Sequence, residues 1–125
     1  INHKNKILVV ATGGMYHEVQ KAIRSVLIDN GYADLYLLRF IKPLDETYFL
    51  ELATKYYGIV FVEDGVITGG IGQYLSGLLA KQGFSNTKVL GFEDRYYSHG
   101  SRDDILEAAG IDSTHIEKAI KLCSK

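Results

Sequence analysis

Ile7-Leu8-Val9-Val10-Ala11 is an unbroken apolar run, stopped at once by Thr12-Gly13-Gly14, after which the hydrophobic period changes. A strand that meets water on one face carries a polar residue at every second position. A short continuous run is what a strand covered on both faces requires. Beyond the glycines, Val19, Ala22, Ile23, Val26 and Leu27 recur at helical spacing, and Gly31 sits where a helix C-cap belongs. This switch from doubly covered strand to one-sided helix recurs along the chain, and it restricts the fold more than any other feature.

Ala33 to Ile41 reads as a second strand, stopped by Lys42-Pro43. Asp45 can N-cap a helix with Phe49, Leu52, Ala53 and Tyr56 on its buried stripe, ended by Gly58. Ile59 to Val62 is a third strand with Glu63-Asp64 at its C-terminal edge. The loop Gly65 to Gly70 then leads into a helix with Ile71, Tyr74, Leu75, Leu78 and Leu79 on one face. Lys88 to Phe92 is a fourth strand. Ser101 and Asp104 have capping-box spacing at the start of a short helix that stops at Gly110. The last helix buries Ile116, Ala119, Ile120 and Cys123, with Asp112 or Thr114 as its cap. Strands separated by helices indicate an α/β sandwich with a mostly parallel sheet, whose strand order the pattern leaves open.

The chain has 125 residues, enough for one domain with a core of its own, and no second boundary interrupts residues 1–125. Its formal net charge is −1 with both signs interspersed, which argues against a phosphate-tracking nucleic-acid surface. No apolar run approaches the ~18 residues of a membrane span. A single cysteine, Cys123, rules out an intrachain disulfide and fits a reducing, cytoplasmic compartment; its place on an apolar stripe suggests a buried structural thiol. Ile1 and the polar Asn2-His3-Lys4-Asn5-Lys6 read as the start of a piece cut from a longer chain at an interdomain linker.

Four segments invite a chemical reading. Thr12-Gly13-Gly14-Met15 occupies the place of a dinucleotide fingerprint but lacks the third glycine, and a tight strand-to-helix turn explains its glycines without a ligand. Glu63-Asp64-Gly65-Val66-Ile67-Thr68-Gly69-Gly70-Ile71-Gly72 puts carboxylates at a strand end and glycines at a helix N-terminus. That terminus offers N–H groups and a positive dipole end to an anion or an incoming carboxylate. Alternatively, the glycines let the helix approach the sheet closely. Asp94-Arg95-Tyr96-Tyr97-Ser98-His99-Gly100 gathers charge, hydroxyls and imidazole in one loop, as interface loops do. His99 with Ser98, Ser101 and Asp94 lacks any nucleophile elbow, so a hydrolase triad is disfavoured. The four histidines, His3, His17, His99 and His115, show no metal-ligand spacing. Nine tyrosines supply amphipathic contact area of the kind found at interfaces.

Four stretches, in order, resemble the C-terminal domain shared by transketolase-like thiamine-diphosphate enzymes. Arg39-Phe40-Ile41-Lys42-Pro43-Leu44-Asp45 is similar to the R-F-x-K-P-L-D segment, and Val62 to Gly72 to V-E-(D/E)-G-x-x-x-G-G-x-G. Gly91 to Ser101 resembles G-x-P-D-x-F-x-x-H-G, with Glu93 in place of the proline and Tyr97 in place of a hydrophobic residue. Ile105 to Asp112 resembles a leucine-rich helix ending in G-(L/I)-D. The third stretch points among siblings to the 1-deoxy-D-xylulose-5-phosphate synthases, with transketolases and 2-oxoacid dehydrogenase beta subunits as alternatives. A stand-alone ligand-binding regulatory module is a further alternative outside the family.

The resemblance implies a three-layer α/β/α sandwich on a five-stranded, mostly parallel sheet with one antiparallel edge strand. It implies thiamine diphosphate and Mg²⁺ held between preceding domains of a full-length enzyme that joins pyruvate to glyceraldehyde 3-phosphate with loss of CO₂. This chain has no G-D-G for the diphosphate. The resemblance therefore implies no catalytic, cofactor-binding or metal-binding residue here, and an isolated fragment without activity. The implied partners are the preceding domains and a second copy of the full-length enzyme, in a homodimer. The residues expected at such contacts are Glu63, Asp64, Gly69, Gly70 and Gly72, followed by Asp94, Arg95 and His99.

Overall fold

The computed structural model describes residues 6–28, 33–38, 46–66, 70–92 and 101–123. Strands β1 (Ile7–Thr12), β2 (Ala33–Leu38), β3 (Gly58–Val66) and β4 (Thr87–Phe92) form one sheet in the order β2-β1-β3-β4, and every described pairing is parallel. The α/β class with a parallel sheet is as expected, and a fifth, antiparallel edge strand is not among the described residues.

The continuous apolar runs follow from strand geometry, because successive side chains point to opposite faces. Ile7, Val9, Ala11, Val60 and Val62 face one core with Val19, Ala22 and Val26 of α1 (Tyr16–Ile28), Leu106 of α4 (Arg102–Ala109) and Ile116, Ala119, Ile120 and Cys123 of α5 (Ser113–Cys123). Leu8, Val10, Ile59 and Phe61 face the other core, with Phe49 and Ala53 of α2 (Glu46–Ala53) and Leu75 and Leu79 of α3 (Ile71–Lys81). The connection from β1 to β2 runs outward in one direction and those from β2 through β4 in the other. Crossovers of one hand then place α1 opposite α2 and α3. The reversal between β1 and β3 is the topological switch point, where open α/β sheets form a crevice at the strands' C-terminal ends.

Several boundaries differ from the sequence expectation, each for a local reason. Helix α2 ends at Ala53, and Gly58 opens β3 instead of closing the helix. Glycine is needed there because a Cβ would lie 2.6 Å from the Asn86 amide nitrogen. That amide donates to the carbonyls of Tyr57 (3.1 Å) and Cys123 (2.7 Å), tying the end of α5 to the start of β3. Tyr56 lies beyond α2, and its hydroxyl donates to Asp34 at 2.7 Å. Burial and the Asp34 carboxylate raise its pKa well above the ordinary tyrosine value.

Strand β3 does not stop at Val62. It continues to Val66 through an irregularity in which Val62 pairs Leu90 and Val66 pairs Phe92. Glu63, Asp64 and Gly65 therefore lie within the strand, at a bulge. Ser101 caps α4, its hydroxyl accepting the Asp104 N–H at 3.1 Å, and Gly110 (φ 74°) closes that helix in the left-handed conformation. Asp112 caps α5 by accepting the His115 N–H at 3.1 Å, which decides between Asp112 and Thr114.

Candidate functional site at the C-terminal edge of the sheet

Glu63 and Asp64 are consecutive on β3, so their side chains leave the sheet on opposite faces. Each runs to the N-terminal end of a helix on its own face. Glu63 is 4% exposed, and its Oε1 accepts the Gly72 N–H at 2.8 Å in the first turn of α3. The glycines of this segment serve close approach. A Cβ on Gly70 would lie 2.5 Å from Glu63 Oε2, and one on Gly72 would lie 2.9 Å from the Phe61 Cβ. The second carboxylate oxygen, Oε2, is buried without a hydrogen-bond partner.

Asp64 turns to the other layer. Its Oδ2 accepts the Gly14 N–H at 3.2 Å, in the single 3-10 turn Gly13–Met15 that leads into α1. Its own N–H donates to Thr12 Oγ1 at 3.4 Å, and the Arg102 guanidinium at the start of α4 lies 3.7 Å away. The carboxylate thus occupies the crevice between β1 and β3. In a dinucleotide-binding sheet, the turn after the first strand presents its N–H groups to a phosphate. Here Gly14 presents its N–H to the chain's own acid.

The same device appears at α5. Glu18 of α1 accepts the Ser113 N–H at 3.1 Å, next to the Asp112 cap, and His115 Nδ1 pairs with the same Asp112 carboxylate. A small polar recess of about 190 Å³ lies here, lined by Glu18, Lys21, Leu106, Glu107, Asp112 and Ser113. Side-chain oxygens of the chain itself therefore fill the N-terminal ends of α1, α3, α4 and α5. At each end the chain's own oxygens take one or two of the donors that would otherwise face an anion.

Of the residues singled out from the sequence, Glu63, Asp64, Gly70 and Gly72 come together at this edge; Gly69, Asp94, Arg95 and His99 lie outside the described residues. Sequence reasoning missed Thr12, Glu18 and Arg102 as partners. Only Glu18, an acid in the first turn of α1, carries a recognisable signal. Cys123 is buried, and that burial raises its thiol pKa. Tyr16, Tyr48, Tyr57 and Tyr74 are exposed. A mostly apolar groove of about 570 Å³ lies at the opposite edge of the sheet, between the C-terminal ends of α2 and α3, away from the acids. Among the described residues no helix is long and apolar enough to cross a membrane, and no group of three or more His, Cys, Asp or Glu is placed to hold a metal ion.

Comparison with known proteins agrees with this architecture. A solved split-gene transketolase, described as an inactive beta4 tetramer, superposes with a TM-score of 0.83 at 19% identity, covering 95% of this chain and 39% of that one. The 1-deoxy-D-xylulose-5-phosphate synthase of Treponema pallidum is 44% identical over 111 residues, which is 88% of this chain and 18% of the relative. That of Parabacteroides distasonis is 34% identical over 116 residues, 92% of this chain and 18% of the relative. The chain thus spans less than a fifth of the length of these curated relatives. The family model for the transketolase C-terminal domain matches residues 1–116, and the chain belongs to that family.

Proposed function

We propose that this chain is the C-terminal domain of a 1-deoxy-D-xylulose-5-phosphate synthase, and that it serves architecture and assembly, not catalysis. The parent enzyme, a cytoplasmic transferase, condenses pyruvate with glyceraldehyde 3-phosphate and releases CO₂. Its product feeds isoprenoid-precursor, thiamine and pyridoxal biosynthesis. The observation that carries the reading is the acidic edge: Glu63, Asp64, Glu18 and Asp112 each take an N–H, at a helix start or in the turn before one, where a phosphate or diphosphate would otherwise find a donor. The names of the relatives favour the synthase over a transketolase or a dehydrogenase beta subunit.

Thiamine diphosphate, when bound to the parent, supplies the carbanion chemistry. The residues of this chain do not fit it. A magnesium diphosphate brings negative charge to an edge already lined with carboxylates, and the chain lacks the G-D-G sequence. No step is therefore assigned to this domain. Its part is to pack on the preceding domains and to contribute to the homodimer, through Gly69, Gly70, Asp64, Asp94, Arg95 and His99, while Gly72 is buried against Phe61 and Val89. Glu63 acts from beneath that surface by fixing the start of α3.

The test is to supply the isolated chain with thiamine diphosphate, Mg²⁺, pyruvate and glyceraldehyde 3-phosphate. The expected result is a folded protein with no CO₂ release. Turnover by the chain alone, or micromolar calorimetric binding of phosphate at the Gly70–Gly72 helix start, would overturn the proposal. The latter result would favour a regulatory ligand-binding module.

A further inference from the structure

The groove between the C-terminal ends of α2 and α3 has a volume of about 570 Å³, within the roughly 300–1,000 Å³ of small-molecule sites. Leu50, Ala53, Tyr56, Leu79 and Phe84 supply its apolar lining, and Glu51 is the one charged side chain among the described lining residues. Glu51 is exposed and stands in the last turn of α2. There the carbonyl end of the helix already carries about half a negative charge, so a base would be favoured and an acid is not. No basic residue occupies that turn, and the Glu51 carboxylate has no hydrogen bond or ion pair among the described residues. The neighbouring cations do not meet its charge. Lys6, 5.5 Å from the centre of the Tyr56 ring, pairs with Asp34 at 2.8 Å, while Lys55 and Lys81 are exposed and do not line the groove.

We propose that this groove is a binding site for a small organic cation, a molecule with an apolar body and one protonated amine. The five apolar residues take the body out of water, and the Glu51 carboxylate at the negative end of α2 takes the charge. The same field disfavours phosphates and carboxylates, so the anionic substrates and cofactor of the parent enzyme do not suit this groove. Its ligand is a different molecule, held at the edge of the sheet opposite Glu63 and Asp64. The site is independent of the parent-enzyme reading, since it needs only α2, α3 and the turns that follow them.

Amide NMR titration of the chain at neutral pH tests it with three probes that share one ring and differ in charge: tryptamine, tryptophol and indole-3-propionate. The expected result is saturable shifts centred on Leu50–Tyr56 and Gln82–Phe84. Tryptamine should bind roughly two- to fivefold more tightly than neutral tryptophol, as a partly exposed ion pair allows, and indole-3-propionate more weakly than either. Glu51→Gln changes one exposed side chain and removes its charge, and it should bring tryptamine and tryptophol to equal affinity while leaving the location of the shifts unchanged. Three outcomes would each overturn the proposal: no saturable shifts with any probe, shifts centred elsewhere on the chain, or equal affinity for all three. A preference for tryptamine that survives Glu51→Gln would overturn the assignment of Glu51 and with it the charge selection on which the proposal stands.

Discussion

Alanine at two glycines of the same helix segment should change stability in opposite directions. At Gly70 a Cβ would sit 2.5 Å and 2.7 Å from the two Glu63 carboxylate oxygens and 2.9 Å from their carbon. The whole carboxylate must shift, which breaks the 2.8 Å bond to the Gly72 N–H. A hydrogen bond to a charged group contributes about 1.5–3 kcal/mol. The opposing gain, reduced freedom of the unfolded chain, is about 0.4–1 kcal/mol. The loss dominates, so Gly70→Ala should cost about 1–2 kcal/mol and lower the midpoint by roughly 4–8 °C for a chain of this length.

At Gly77, in the middle of α3, a Cβ would meet nothing within 4 Å. Gly77→Ala should therefore stabilise by about 0.5–1 kcal/mol through helix propensity alone. Gly70→Ser separates sterics from propensity. Serine is a good N-cap in general and would stabilise by that criterion, yet it carries the same Cβ and should destabilise as alanine does. Urea denaturation with an unchanged m-value is the assay. A neutral or stabilising Gly70→Ala, or a stabilising Gly70→Ser, would refute the seating of Glu63 against the start of α3.

Asp64→Ala should cost about 1 kcal/mol by freeing the Gly14 N–H, whereas Arg102→Ala should cost less than about 0.5 kcal/mol because that pair is solvent-exposed; urea midpoints of the two variants compare them. Asn86→Ala removes the amide that holds both the Tyr57 and Cys123 carbonyls and should cost about 1–3 kcal/mol, with amide exchange accelerated at the end of α5. Because the folded pKa of Tyr56 is raised, its contribution is present below the unfolded tyrosine value of about 10 and is lost as pH rises beyond it. Thermal midpoints should accordingly fall above about pH 10, and less steeply in Tyr56→Phe.

The layered fold was legible because a doubly covered strand and a one-sided helix leave different periods in the sequence. Ile7 to Ala11 against Val19 to Leu27 is the clearest case. The end of β3 was not legible. Glu63-Asp64-Gly65 has the composition of a loop, and nothing local indicates that pairing resumes at Val66 with Phe92. The glycines at 70 and 72 were readable as close-approach residues, but their neighbours were not, because Glu63 and Phe61 reach them across the sheet–helix interface. Long-range partners such as Glu18 with Ser113, 95 residues apart, leave no spacing to recognise. The Asp64–Gly14 contact is of the same kind: each half is visible as a turn or an acid, and only the register of β1 beside β3 joins them.

The irregularity in β3 makes the length of this segment as specific as its composition. Between Val62 and Val66 the strand advances four positions while β4 advances two, from Leu90 to Phe92. Removing one residue would exchange the faces of everything after it and send a carboxylate toward the wrong layer. Removing two would make the advance on β3 equal to that on β4 but delete the acids that hold α1 and α3. Relatives that diverge freely in the identity of surface residues are therefore expected to keep the number of residues here unchanged, so that a gap or insertion at this point marks a domain whose two helical layers are fastened differently.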